Sequence, residues 1–226
     1  MNYTEFHEDS ERHPVAADRI YQIMDRHGYT LLGEGQDAAV WTKSEAEVIK
    51  IIMPEDPAGL DEATQTFLRF YEFCQAHPGY ENLPRFIDIG GAHHKLFTME
   101  GRDYVMTGME RLQPIPRGSF AEAMVWILSD FTTTGSRWEQ VLPQLTNPET
   151  WASFDDGMDT GEIIQQIQSW DRTDQAKWAV LYTLMVLLYR TGRINHMGWD
   201  LHTENAMMRD GEMVVITDPW FNVRTE

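Results

Sequence analysis

Pro114 and Pro116, one residue apart, divide this chain into two stretches whose hydrophobic patterns cannot belong to one layer. Proline has no backbone N–H and a fixed φ, so the pair is expected to interrupt both a ladder and a helix. Before it, apolar residues run in short β-branched and aromatic segments at 29–32, 39–41, 48–52, 86–89 and 104–107, with Gly, Asp and Pro turn residues between them; His93-His94 and Gly101-Arg102 read as turns. After it the spacing turns helical, at about 119–131, 136–145, 161–169 and 174–191, and the last is apolar enough to read as a buried central helix. The first half also holds a helix at 15–27, with Val15, Ile20, Ile23 and Met24 in phase and His27-Gly28 as its stop. A second, at about 60–76, places Phe67, Leu68, Phe70, Tyr71 and Cys74 inward. The pattern is α+β: a small sheet carrying a helix, a connector, then a mostly helical half.

With 226 residues, a 42% hydrophobic fraction and eight Trp, the chain can bury a sizeable core. Its net charge of −18 argues against a grip on nucleic acid or anionic lipid, where Lys and Arg must meet phosphate. The single cysteine, Cys74, excludes an internal disulfide and reads as a packed thiol. An acidic N-terminus is the opposite of a signal peptide, and the longest apolar stretch, 178–189, is too short to span a bilayer. A soluble cytoplasmic protein is expected.

The chemistry concentrates near the C-terminus. Asp200 and Asn205 lie five residues apart in Gly-Trp-Asp-Leu-His-Thr-Glu-Asn, a spacing that lets one tight loop aim both side chains at one point. Asp218 ends the β-branched run 214–217, after the turn at Asp210-Gly211. A carboxylate facing a nucleophile, with an Asn and an Asp supplying hard oxygen ligands to Mg²⁺, is what phosphoryl transfer requires. His202 sits within the loop, as a brace or as a contact to the transferred phosphate; His196 and Asp210 read as structural.

Upstream, Gly33 and Gly35 stand between two strands, where bare backbone N–H groups can approach phosphates. Lys50 lies in the next strand but one, pointing opposite to Ile49. A lysine near phosphates needs an acidic partner, and the helix that follows offers Glu62 and Glu72, of which Glu72 lies closer to the apolar stripe.

In this order the features resemble the protein-kinase-like fold. The resemblance implies one domain over 1–226: an N-lobe with a small antiparallel sheet at about 14–108, a hinge at about 109–116, and a helical C-lobe at about 117–226, truncated because eight residues follow Asp218. Gly33 and Gly35 match the first two glycines of the nucleotide loop, with Ala38 in place of the third. Val40 matches the residue that packs on adenine, Lys50 the phosphate-binding lysine and Glu72 its partner, while Glu110 and Leu112 fall in the hinge. Asp200 matches the catalytic base and Asn205 and Asp218 the metal ligands, the last as Asp218-Pro219-Trp220 where Asp-Phe-Gly is usual. His202 takes a place often held by Lys; His there is also usual in aminoglycoside- and choline-kinase-like enzymes.

The loop from Asp200 to Met207 (Asp-x-His-x-x-Asn-x-Met) and the ending Ile216-Thr217-Asp218-Pro219 further resemble the early serine/threonine protein kinases of short-tailed bacteriophages. That resemblance implies Mg²⁺ and ATP as cofactors, Lys50, Asp200 and His202 as catalytic residues, and host proteins as substrates in the host cytoplasm. Two other functions fit the residues. One is a small-molecule kinase whose acidic pocket draws on Asp155, Asp156, Asp159 and Glu162. The other is a kinase-like acidic protein that binds and inhibits a host enzyme.

Overall fold

A computed structural model of the chain describes residues 18–35, 37–53, 60–99, 101–154 and 158–222, so the expectations at Val15, the loop 54–59, Asp155 and Asp156 lie outside it. The chain divides into two compact units, Met1–Ala76 with Pro84–Arg111, and His77–Leu83 with Leu112–Glu226. The first is built on antiparallel strands and the second is mostly helical. This is the α+β organisation that the sequence implied.

In the first unit, helix α1 (Asp18–Arg26) buries Ile20, Ile23 and Met24 and stops at Gly28, whose φ of +75° suits glycine. Strands β1 (Thr30–Glu34), β2 (Ala38–Thr42) and β3 (Glu47–Ile52) form a meander, and helix α2 (Leu60–Ala76) follows. Strand β6 (Arg102–Glu110) pairs with β3 and with the short strands β4 (Phe86–Ile87) and β5 (His94–Met99). Alternation of side chains gives the sheet two apolar faces. Ala39, Trp41, Ile51 and Met106 cluster with α1, while Ala38, Ile52 and Val105 cluster with Phe67 of α2. The sheet thus carries a helix on each face. Trp41 and Phe70 are among the largest fully buried side chains, and burying each contributes about 1.5–3 kcal/mol.

Two sequence expectations change in this region. β5 begins at His94, where a turn was expected, because its polar residues alternate with buried Phe97 and Met99. The segment 113–114 does join a ladder: β7 (Gln113–Pro114) pairs with Met208 and Met207. Proline is tolerated there because β7 is a two-residue edge strand, where a missing N–H removes no ladder bond.

The second unit packs helix α3 (Phe120–Thr134), capped by Ser119 and ended by Gly135 at φ 71°, against the long helix α6 (Arg172–Ile194). Helices α4 (Trp138–Gln144) and α5 (Thr160–Gln168) lie between them in sequence. Asp171 opens α6 with a capping box through the N–H groups of Thr173 and Asp174. α6 is less fully buried than the central helix that the sequence implied. Leu181, Leu184, Met185 and Leu188 are buried at helical spacing, whereas Val180 and Ile194 are exposed. The unit finishes with β8 (Met197–Trp199), the hairpin β9 (Ala206–Arg209) and β10 (Met213–Ile216), and β11 (Trp220–Asn222).

Candidate active site

Two short ladders bring Asp200, Asn205 and Asp218 together in the second unit. β11 pairs antiparallel with β8, setting Trp220 opposite Trp199, so Asp200 and Pro219 emerge side by side; the Asp200 N–H donates to the Pro219 carbonyl at 2.9 Å. β9 pairs with β10, setting Ala206 opposite Ile216, so Asn205 and Thr217 also leave at one end. The Asn205 carbonyl accepts the N–H groups of Thr217 at 3.0 Å and Asp218 at 3.4 Å. The hairpin closes through Asp210 and Gly211, both in the left-handed region at φ 55° and 71°, as an Asp-Gly turn favours. Asp200, Asn205 and Asp218 thereby share one corner of backbone.

Side chains complete the corner. Asn205 Nδ2 donates to the Asp200 carbonyl at 2.6 Å and to Asp200 Oδ2 at 3.1 Å, which uses both its hydrogens. Its Oδ1 is turned away from Asp200 and accepts no hydrogen bond among the described residues. His202 Nδ1 accepts the Glu204 N–H at 3.3 Å. Its Nε2 lies 3.1 Å from Asn205 Nδ2, within hydrogen-bond distance, and 3.8 Å from Asp200 Oδ1. The Asp200 side chain remains 45% exposed and His202 50%, so an incoming hydroxyl can reach both.

The donor set fits Mg²⁺. Among the described residues no three His, Cys, Asp or Glu converge on a closed metal site. Mg²⁺ is usually held by one or two protein oxygens, with water and substrate phosphates completing the octahedron. Asn205 Oδ1 and the Asp218 carboxylate, on adjoining pieces of backbone, would supply those two.

Residues remote in sequence hold this corner, and sequence reading missed them. Asn82 donates its Nδ2 to the Val214 carbonyl at 2.7 Å and accepts the Ile216 N–H at 2.9 Å on its own carbonyl, extending the β9–β10 hairpin. Buried Arg209 bonds the carbonyls of Glu81 and Leu83, the latter at 3.0 Å. Ser129 of α3 accepts Trp199 Nε1–H at 3.0 Å and donates to the Leu201 carbonyl at 2.8 Å. No local pattern marks these positions, since each acts across the fold.

In the first unit Lys50 lies mid-strand, opposite Val40 on β2 and Thr107 on β6, with His94 next in the row on β5. Directly paired residues share a face, and this face lies under α2: Lys50 Nζ is 5.8 Å from the Phe67 ring centroid. Gly33 sits opposite Val40 next to a register shift, and Gly35 N–H closes the turn on Ala38 O at 2.8 Å. Neither glycine is demanded by its own fold. Neither has positive φ, a Cβ on Gly33 would meet nothing within 4 Å, and one on Gly35 would come no nearer than 3.9 Å.

Three other expectations are corrected or narrowed. Glu72 is exposed and forms no ion pair with Lys50; its charge acts on His94 instead. Helix phase is the reason: five residues beyond Phe67 is about 140° round the helix from the face over Lys50. Glu110 Oε1 accepts the Arg85 N–H at 2.8 Å while Glu110 N–H donates to Arg85 O at 3.0 Å, so its carboxylate brackets strand β4. Leu112, in the second unit, is buried. Asp159 caps α5 through the N–H groups of Gly161 and Glu162, which commits that carboxylate to the helix end. Cys74 is buried, and burial pushes its thiol well above the usual range, as a packed thiol requires.

No protein-family model matches the sequence, and no curated protein matches it. Among solved structures, ADP-bound aminoglycoside phosphotransferase APH(2'')-Ib aligns with a TM-score of 0.34 and 10% identity over 92% of this chain and 73% of that one. The streptomycin–ATP–APH(2'')-IIa ternary complex aligns with a TM-score of 0.31 and 11% identity over the same shares of the two chains. The meaning of the site therefore rests on its own geometry.

Proposed function

We propose that this protein is a Mg·ATP-dependent phosphotransferase. The observation that carries the reading is the corner formed by Asp200, Asn205 and Asp218, in which the Asn205 amide nitrogen donates to Asp200 and its oxygen accepts no hydrogen bond among the described residues. The Asp200 carboxylate takes the proton of an acceptor hydroxyl as its oxygen attacks the γ-phosphorus. The bond to the β–γ bridging oxygen breaks and ADP leaves. Bound Mg²⁺ would offset the charge on the phosphate oxygens. Gly33 and Gly35 offer open backbone to phosphates, Lys50 is the cation for them, and Val40 is the apolar contact for the base. Glu110 and Leu112 enter as hinge peptide groups, since the Glu110 carboxylate is engaged elsewhere.

The acceptor we favour is a Ser or Thr hydroxyl of a protein, on the likeness of the 200–207 and 216–219 motifs to the phage enzymes. A small-molecule hydroxyl is the second reading, supported by half-exposed His202 beside Asp200. Incubation with γ-labelled ATP separates the two: label in protein supports the first, label in a soluble metabolite the second. The reading itself is tested by melting. Mg·ATP should raise the Tm, and Asp218→Ala should abolish the rise. A wild-type protein unmoved by Mg·ATP overturns the assignment.

A further inference from the structure

Asp200 is fixed by bonds on its own backbone, but the residues on either side of it are fixed by a third party. The Ser129 hydroxyl receives the indole N–H of Trp199 at 3.0 Å and gives its own hydrogen to the Leu201 carbonyl at 2.8 Å. We propose that Ser129 is a positioning residue: a one-atom clasp from helix α3 that holds the Trp199 side chain before Asp200 and the Leu201 carbonyl after it, and so aims the Asp200 carboxylate. The inference rests on the phosphotransferase reading above.

The local setting makes the clasp rigid. Ser129 follows Ile127 and Leu128, which are 2% and 0% exposed, so α3 cannot shift there without opening the core. The Trp199 ring is also met edge-on by Tyr189 of α6 at 5.7 Å, which fixes the direction of its N–H. A hydroxyl both accepts and donates, and here the two roles serve opposite flanks of one residue. An alanine at 129 would leave an indole N–H and a carbonyl unpaired in a half-buried place. Alanine leaves the ligands of Mg·ATP intact, so the loss should fall on kcat rather than on nucleotide binding.

The test uses the full chain with ¹⁵N labelling and Mg·ATP turnover to ADP, which needs no identified acceptor. Ser129→Ala should lower kcat about 10- to 100-fold with KM for ATP within about threefold. Ser129→Thr, which keeps the hydroxyl, should restore most of it. Trp199→Phe should cost a similar factor, with the double variant little worse than either single one, as expected of residues acting as a unit. Independently of activity, Ser129→Ala should move the Trp199 indole resonance together with the Asp200 amide and the Asn205 side-chain amide. Movement of the indole alone overturns the proposal, whatever the turnover. Equal kcat in Ser129→Ala and an active wild type overturns it as well, whereas an inactive wild type overturns the phosphotransferase reading.

Discussion

The corner around Asp200 and the sheet around Lys50 are built to opposite specifications. In the second unit three backbone groups at Asp200 are tied: its N–H to Pro219, its carbonyl to Asn205, and the next carbonyl to Ser129. In the first unit, strand β1 is exposed at all five positions, including Leu31 at 42% and Leu32 at 44%. The contrast separates two demands of group transfer. The proton acceptor must already be in place when the acceptor arrives, because misplacement by an ångström is costly. On the proposed reading, a segment that approaches a nucleotide must move to admit it, and the exposed strand β1 has the packing such a segment needs.

The largest effect that should sharpen this contrast is at Asp200 itself. Asp200→Asn keeps the shape of the corner but removes the proton acceptor, and should cut phosphoryl transfer on the order of 10³-fold while leaving the Mg·ATP-induced rise in Tm in place. Equal loss of binding and turnover would mean that the carboxylate serves the nucleotide, not the acceptor.

Next come the glycines, which the two regions use for different reasons. A Cβ on Gly192 would stand 2.8 Å from Trp220 Nε1, a ring atom that donates to Leu188 O at 3.1 Å in the buried core. Gly192→Ala should therefore destabilise the second unit by about 1–3 kcal/mol, read by chemical denaturation. Gly33→Ala meets nothing within 4 Å and should leave stability within about 0.5 kcal/mol. If the glycine hairpin approaches phosphates, that same variant should still raise KM for ATP about threefold to tenfold, because a methyl would stand where backbone must come close. A Gly33→Ala protein with unchanged KM would break the contrast by making that turn a turn and nothing more.

How much of this was legible in the sequence follows from the same distinction. Asp200, Asn205 and Asp218 lie within 19 residues of one another, so loop spacing and a single hairpin turn carried the reading. Helix α2 was legible at both ends, since its apolar period is strong. Glu72 was misassigned because closeness to an apolar stripe does not give rotation about the helix, and the structure turns Phe67 over Lys50. β5 was lost because half of its residues are polar and it lies at the sheet's edge, where one face alone is constrained. Ser129 could not have been found: it reaches Leu201 across 72 positions, and a serine mid-helix carries no local mark of what it clasps.

The smallest expected effect distinguishes the units by pH. His94 lies beneath Tyr71, its ring centroid 4.6 Å away, and its Nδ1 is buried without a hydrogen-bond partner. Burial lowers its pKa below the ordinary value of 6.5; positive charge at the neighbouring His93 and Lys95 positions opposes its protonation further, and Glu72 favours it. Between the folded and unfolded values the unfolded chain binds more protons, so stability rises with pH across that window. His94 thus contributes its full share above about pH 6.5 and loses it as the pH falls through the lowered folded value. In the second unit Asp171 is held below the ordinary carboxylate range by the N–H groups of Asp174 and Thr173, so its cap persists far below that window. Amide exchange compared at about pH 7.5 and about pH 5.5, corrected for intrinsic rates, should therefore show β5 and β6 opening more at the lower pH while the first turn of α6 does not. His94→Phe should flatten the response of the first unit. Parallel loosening of both units, or a slope that survives His94→Phe, would place the titrating group elsewhere.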